Sequence, residues 1–157
     1  MSVKAIYPLL MFFHLISVVV WVGGMFFAYV CLRPIAAAQL EAPVRLKLWA
    51  GVFGRFFPWV WLAVALILMS GLAMLLFYGM QGAPLFMHLM LLTGLLMIAV
   101  YAYVALDIYA RLRQCVAAGD WSRAGAALNQ IRKLIGFNLA LGLLTIVIAK
   151  LGVYLPF

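Results

Sequence analysis

The stretch from Ile6 to Leu32, IYPLLMFFHLISVVVWVGGMFFAYVCL, contains no Asp, Glu, Lys or Arg. A hydrocarbon core roughly 30 Å thick is crossed by about 20 apolar residues in helical form, so this run is long enough to span a bilayer. It reads as a mature span rather than a cleaved leader, because it is too long for a signal h-region and no small-x-small cleavage motif precedes the glycine pair. Inside it sits one imidazole, His14, followed by Trp21 and Gly23-Gly24. An ionisable side chain at membrane depth is costly, which marks His14 as a functional candidate and directs attention to its partners.

Three further apolar runs follow, and they give an all-α integral membrane four-helix bundle of one domain. The expected spans are about 6–32, 56–78, 84–109 and 134–154, joined by polar connectors at 33–55 and 110–133. Arg33-Pro34 is expected to stop the first span, since a residue before proline is biased away from helix. The 35–55 connector is expected to hold a short interfacial helix. Gly79 to Pro84 reads as a tight turn, Pro84 suits the first turn of the third helix, and Asp107 and Arg111 stand at i,i+4 on its extension. Gly119 can end that helix and Asp120 can cap the next.

Composition agrees with the membrane reading. Of 157 residues 70% are hydrophobic and 9% charged, with a mean hydropathy of +1.23, against roughly 25% charged in soluble domains. The net charge of +8 does not point to nucleic acid, because the basic residues lie between apolar runs instead of on a soluble face. Nine of the eleven Lys and Arg residues fall in the two connectors; Lys4 and Lys150 are the others. The positive-inside rule then predicts cytoplasmic connectors and both termini on the periplasmic side of a bacterial inner membrane, with anionic membrane lipid as a partner. Cys31 and Cys115 lie toward the reducing side and are expected as free thiols.

Alternating helix directions bring three ionisable groups to one depth. At 1.5 Å per residue His14, His88 and Lys150 all lie about 6–12 Å below the outer surface. Two readings of this layer follow. In the first, His14 and His88 are the axial ligands of haem b, Trp21 and Gly24 accommodate the flat macrocycle, and Lys150 serves a propionate or the substrate as a catalytic group. That reading implies a redox protein exchanging electrons with quinone or oxidising a porphyrin-like substrate. In the second, the histidines join Met11, Met80 and Met87, with Met90 in the same layer, to bind Cu(I) delivered by a copper donor, because thioethers and imidazoles suit that ion. A cofactor-free assembly partner and a homo-oligomer are further alternatives. Asn138 reads as an interhelical hydrogen-bonding group.

His14, Trp21, Gly23-Gly24, Arg33-Pro34, Phe86-Met87-His88-Leu89-Met90 and the run from Asn138 to Thr145 resemble the CopD-like family of bacterial membrane proteins over essentially the whole chain. That resemblance implies a role in copper uptake across the inner membrane. His14, Trp21, Gly24, His88 and Lys150 are also similar, more distantly, to the HemJ-type membrane protoporphyrinogen oxidases, which implies haem b. Two departures stand out: Met90 occupies a position where that family has Lys, and Lys150 is separated from Pro156-Phe157.

Overall fold

The computed structural model describes residues 3–79 and 82–154, and the described residues form four long helices. Helix α1 covers residues 3–39, α2 runs Ala42–Tyr78, α3 runs Leu85–Ala118 and α4 runs Trp121–Leu151. All four are apolar and long enough to cross a membrane. At 37, 37, 34 and 31 residues they measure about 46–56 Å at 1.5 Å per residue, well beyond the hydrocarbon thickness. Each therefore extends past the bilayer, and the segments expected as connectors are helical continuations of the spans.

Two expectations are corrected here. The first helix does not stop at Arg33-Pro34 but continues to Gln39. A π-helical turn, Phe27–Leu32, ends one residue before the proline. Its wider turn shifts the hydrogen-bond ladder, so the missing N–H and the ring of Pro34 are accommodated without a break. The chain breaks instead at Leu40 and Glu41, both extended (ψ 131° and 151°), ahead of Pro43 in the first turn of α2. The 35–55 region consequently contains no separate interfacial helix: from Ala42 onward it is the first part of α2.

The other boundaries agree with the local chemistry. Gly79 adopts φ 75° after α2, Pro84 precedes α3, and Gly119 ends α3 in the left-handed conformation at φ 72°. The Asp120 carboxylate accepts from the Arg123 backbone N–H at 3.0 Å, satisfying one of the orphan donors that open α4. Asp107 and Arg111 form their ion pair at 2.7 Å. Helix α4 passes Gly136 without interruption.

The packed core lies in the middle of the bundle and toward its basic end. Ile108, Leu112 and Ile131 are completely enclosed, and Leu46, Trp49, Phe53, Ala124 and Leu128 surround them. Phe53 stacks on Phe57 at 5.2 Å, and Tyr101 stands edge-on to Trp21, Phe57 and Trp61. Such pairs add about 0.5–1.5 kcal/mol each beyond area burial. The Tyr101 hydroxyl donates to the Phe57 carbonyl at 2.8 Å, tying α3 to α2. Toward the opposite end the helices are joined by polar links in pairs. His14 meets Ser70 between α1 and α2; Asn138 donates to the Met97 carbonyl and Thr145 to Thr93 between α4 and α3. Leu9, Phe12, Leu15, Leu72, Leu76 and Leu92 face outward, as side chains solvated by lipid do.

Candidate functional site

His14 is half-buried on the face of α1 that packs against α2. Its Nδ1 lies 2.9 Å from Ser70 Oγ, and its Cε1 sits where a side chain on Gly71 would be, 3.3 Å from the ideal Cβ position. Ser70 Oγ donates its one proton to the Leu66 carbonyl at 2.5 Å, with the Ile67 carbonyl at 3.3 Å. The hydroxyl therefore has only lone pairs to offer the imidazole, so Nδ1 carries the hydrogen and donates to Ser70. That tautomer leaves the Nε2 lone pair available to a metal ion.

The neighbouring turns define what stands beside that nitrogen. The Tyr7 and Tyr78 hydroxyls are near each other across the same helix pair. Tyr7, Met11 and His14 follow i, i+4, i+7, and Ser70, Met74 and Tyr78 follow i, i+4, i+8, so each set occupies one helix face. With His14 opposite Ser70 and Tyr7 opposite Tyr78, the intervening turn sets Met11 level with Met74. Met74 is buried at 6% exposure and Met11 is half-buried. Ser70 and Met74 were not among the candidates read from sequence. Their i,i+4 spacing sets both on one face of α2, but nothing in the sequence of that span distinguishes them.

The other candidates are distributed differently. His88 Nδ1 lies 3.3 Å from the Pro84 carbonyl at the start of α3, with Met87 and Met90 half-buried beside it. Thr93 pairs with Thr145, and a side chain on Gly152 would meet Phe86; the antiparallel register these contacts share sets His88 level with Lys150. Lys150 itself is exposed in the last turn of α4. Met80 lies outside the described residues.

Trp21 and Gly24 are occupied by protein packing and do not fit the macrocycle role. Trp21 is 3% exposed with its ring edge-on to Tyr101 at 5.8 Å. The Gly24 Cα is covered by the Phe56 ring, whereas Gly23 faces open space. The mid-bundle cavity is lined by Trp21, Met25, Phe57, Tyr101, Ile135 and Asn138 among others, and by neither histidine. His14 is turned to α2, so the residues expected to clasp a haem do not surround one space, and no step is derived through that group. Among the described residues no three or more His, Cys, Asp or Glu side chains converge as a metal site. In the α1/α2 layer the soft donors on the faces that oppose each other are the His14 imidazole and the thioethers of Met11 and Met74. Both cysteines are free thiols.

The fold and this layer define a multi-pass, all-helical membrane protein with imidazole and thioether groups between its first two helices. A family model described as Copper resistance protein D matches residues 50–151, and the chain belongs to that family. The matched stretch runs from α2 to the end of α4 and includes Ser70, Met74, His88 and Lys150; α1, with His14, lies before it. No curated protein and no solved structure matches the chain, so the likeness to HemJ-type oxidases gains no support.

Proposed function

We propose that the protein binds Cu(I) as cargo within the membrane, using His14 Nε2 with the thioethers of Met11 and Met74 between α1 and α2. The observation that carries this reading is the 2.9 Å contact of His14 Nδ1 with Ser70 Oγ, whose proton goes to Leu66, which favours the Nδ1–H tautomer and so Nε2 as the ligand atom. Thioether and imidazole are soft and borderline ligands suited to Cu(I), and membership of the copper resistance protein D family supports that choice of cargo. His88, with Met87 and Met90 at the outer end of α3, is a second holding point along the same layer. The concentration of Lys and Arg in the 33–55 and 110–133 segments supports an inner-membrane location with those segments in the cytoplasm and both termini in the periplasm. Copper would then be met from the periplasmic side. The haem b and quinone reading is set aside because the fold offers no observation that favours it.

Competition titration of the purified protein against a chromogenic Cu(I) chelator tests the proposal. One Cu(I) per chain is expected in the tight site. His14→Ala is expected to weaken it about 100-fold and Met74→Leu about tenfold, on the scale by which ligand and supporting groups tune metal sites. Absence of stoichiometric binding, or binding indifferent to His14→Ala, overturns it. An absorbance spectrum of the same sample with a Soret band lost in His14→Ala and His88→Ala would restore the haem reading.

A further inference from the structure

At the opposite end of the bundle, guanidinium groups from three helices lie near enough to act on one another, and among the described residues none of them is ion-paired. Tyr29 of α1 lies against Gly136 of α4, its Cε2 3.0 Å from the ideal Cβ position. One turn further along each antiparallel helix come Arg33 and Arg132, which are therefore level. Arg33 lies over the Tyr29 ring, 4.8 Å from its centre. Arg45, in the first turn of α2, points one nitrogen at the Ala37 and Leu40 carbonyls, 3.4 Å from each, and so straddles the break between α1 and α2. Arg33 and Arg45 are the charged side chains that act on Arg132.

Among the described residues no carboxylate forms an ion pair with these three groups. Of the three acidic residues in the chain, Asp107 is paired with Arg111 and Asp120 with Arg123. Glu41 is exposed and makes no ion pair among the described residues. The Arg132 Nε is shielded from solvent and has no hydrogen-bond partner among the described residues. A buried donor left unmade is costly, and clustered like charge adds to the cost. The first turn of α2 contributes its own positive dipole end, capped by the exposed Glu41, whose side chain makes no capping hydrogen bond.

We propose that Arg33, Arg45 and Arg132 bind the phosphate of an anionic membrane lipid at the basic end of the bundle. Guanidinium forks match phosphate oxygens, and basic pockets between transmembrane helices are suited to acidic head groups. A lipid is the source favoured by the surface one turn deeper, where Val30 beside Tyr29 and Phe137 beside Gly136 are about half exposed (48% and 50%) and offer an apolar track for an acyl chain. The site is independent of the copper reading.

Native mass spectrometry of the full chain released from detergent, titrated with phosphatidylglycerol and phosphatidylcholine of matched acyl chains, tests this. Wild type is expected to retain phosphatidylglycerol in preference. Arg33→Gln/Arg132→Gln is expected to lower that retention about 25-fold, at about fivefold per guanidinium. Arg113→Gln/Arg123→Gln, with the same loss of charge at exposed positions, is expected to keep it. If the first double variant does not elute as folded protein, Arg132→Lys is read instead, where loss of the planar fork weakens retention with the charge kept. Equal retention of the two lipids, or an equal fall in the control variant, overturns the proposal. Displacement of phosphatidylglycerol by millimolar inorganic phosphate would assign the anion to the soluble pool and overturn the lipid source.

Discussion

Ser70 makes no contact with the proposed cargo, yet it decides whether His14 can be a ligand. Removing its hydroxyl takes away the side-chain acceptor of Nδ1 and loosens the hold on the imidazole's tautomer and orientation. Ser70→Ala is therefore expected to weaken Cu(I) binding about 10–100-fold while leaving thermal stability nearly unchanged, read by chelator competition and by unfolding in detergent. Acidity acts on the same nitrogen. A protonated imidazole has no lone pair, so affinity is expected to be flat at higher pH and to fall about tenfold per unit once His14 takes up its second proton. A pH-independent affinity would remove His14 from the ligand set. At this scale the sequence was only partly legible. His14 stood out as an ionisable group within an apolar run, and Met11 at i−3 was visible beside it. Ser70 and Met74 carried no such contrast, because a serine or methionine in a span is ordinary until the opposing helix is known.

Among the elements, α1 shows most clearly what periodicity can and cannot reveal. Its apolar run announced a span, but the π turns at Val19–Gly23 and Phe27–Leu32 have no sequence mark. Without the second, Pro34 reads as a stop. The glycine pair also looked equivalent in sequence and is not. Gly24 faces the Phe56 ring and Gly23 faces open space. Gly24→Ala is expected to cost about 1–3 kcal/mol through forced movement of Phe56, whereas Gly23→Ala is expected to be neutral or stabilising by up to ~1 kcal/mol. Thermal unfolding of the two variants in one detergent checks the contrast. On α4, Asn138 spans to the Met97 carbonyl at 3.0 Å with its own Oδ1 unpartnered among the described residues. Asn138→Leu is expected to change stability by no more than about 1–2 kcal/mol, because a lost interhelical bond is partly offset by relief of the orphaned oxygen.

For the whole molecule, four helices longer than the bilayer is thick divide the protein into two ends with different chemistry. The basic end holds the enclosed core of Ile108, Leu112 and Ile131. The histidine end is joined by polar links between helix pairs. Apolar runs made the number of spans legible, since hydrocarbon tolerates little else. They could not show that the polar segments continue the same helices, because outside the membrane a helix needs no apolar run to persist. The register that opposes Met11 to Met74 and Arg33 to Arg132 is likewise a property of packing, absent from any one segment. The charge bias predicts that alkaline phosphatase fused at the carboxy-terminus is active in the periplasm and that green fluorescent protein fused there is dark; the reverse pattern would invert the orientation. The proposed copper position between α1 and α2, on nitrogen and sulfur, is read by X-ray absorption at the copper edge of the Cu(I)-loaded protein. One imidazole nitrogen and thioether sulfur scatterers are expected, with the imidazole signature absent in His14→Ala and the sulfur shell reduced in Met74→Leu. A copper environment without sulfur, or one unchanged in both variants, would contradict it.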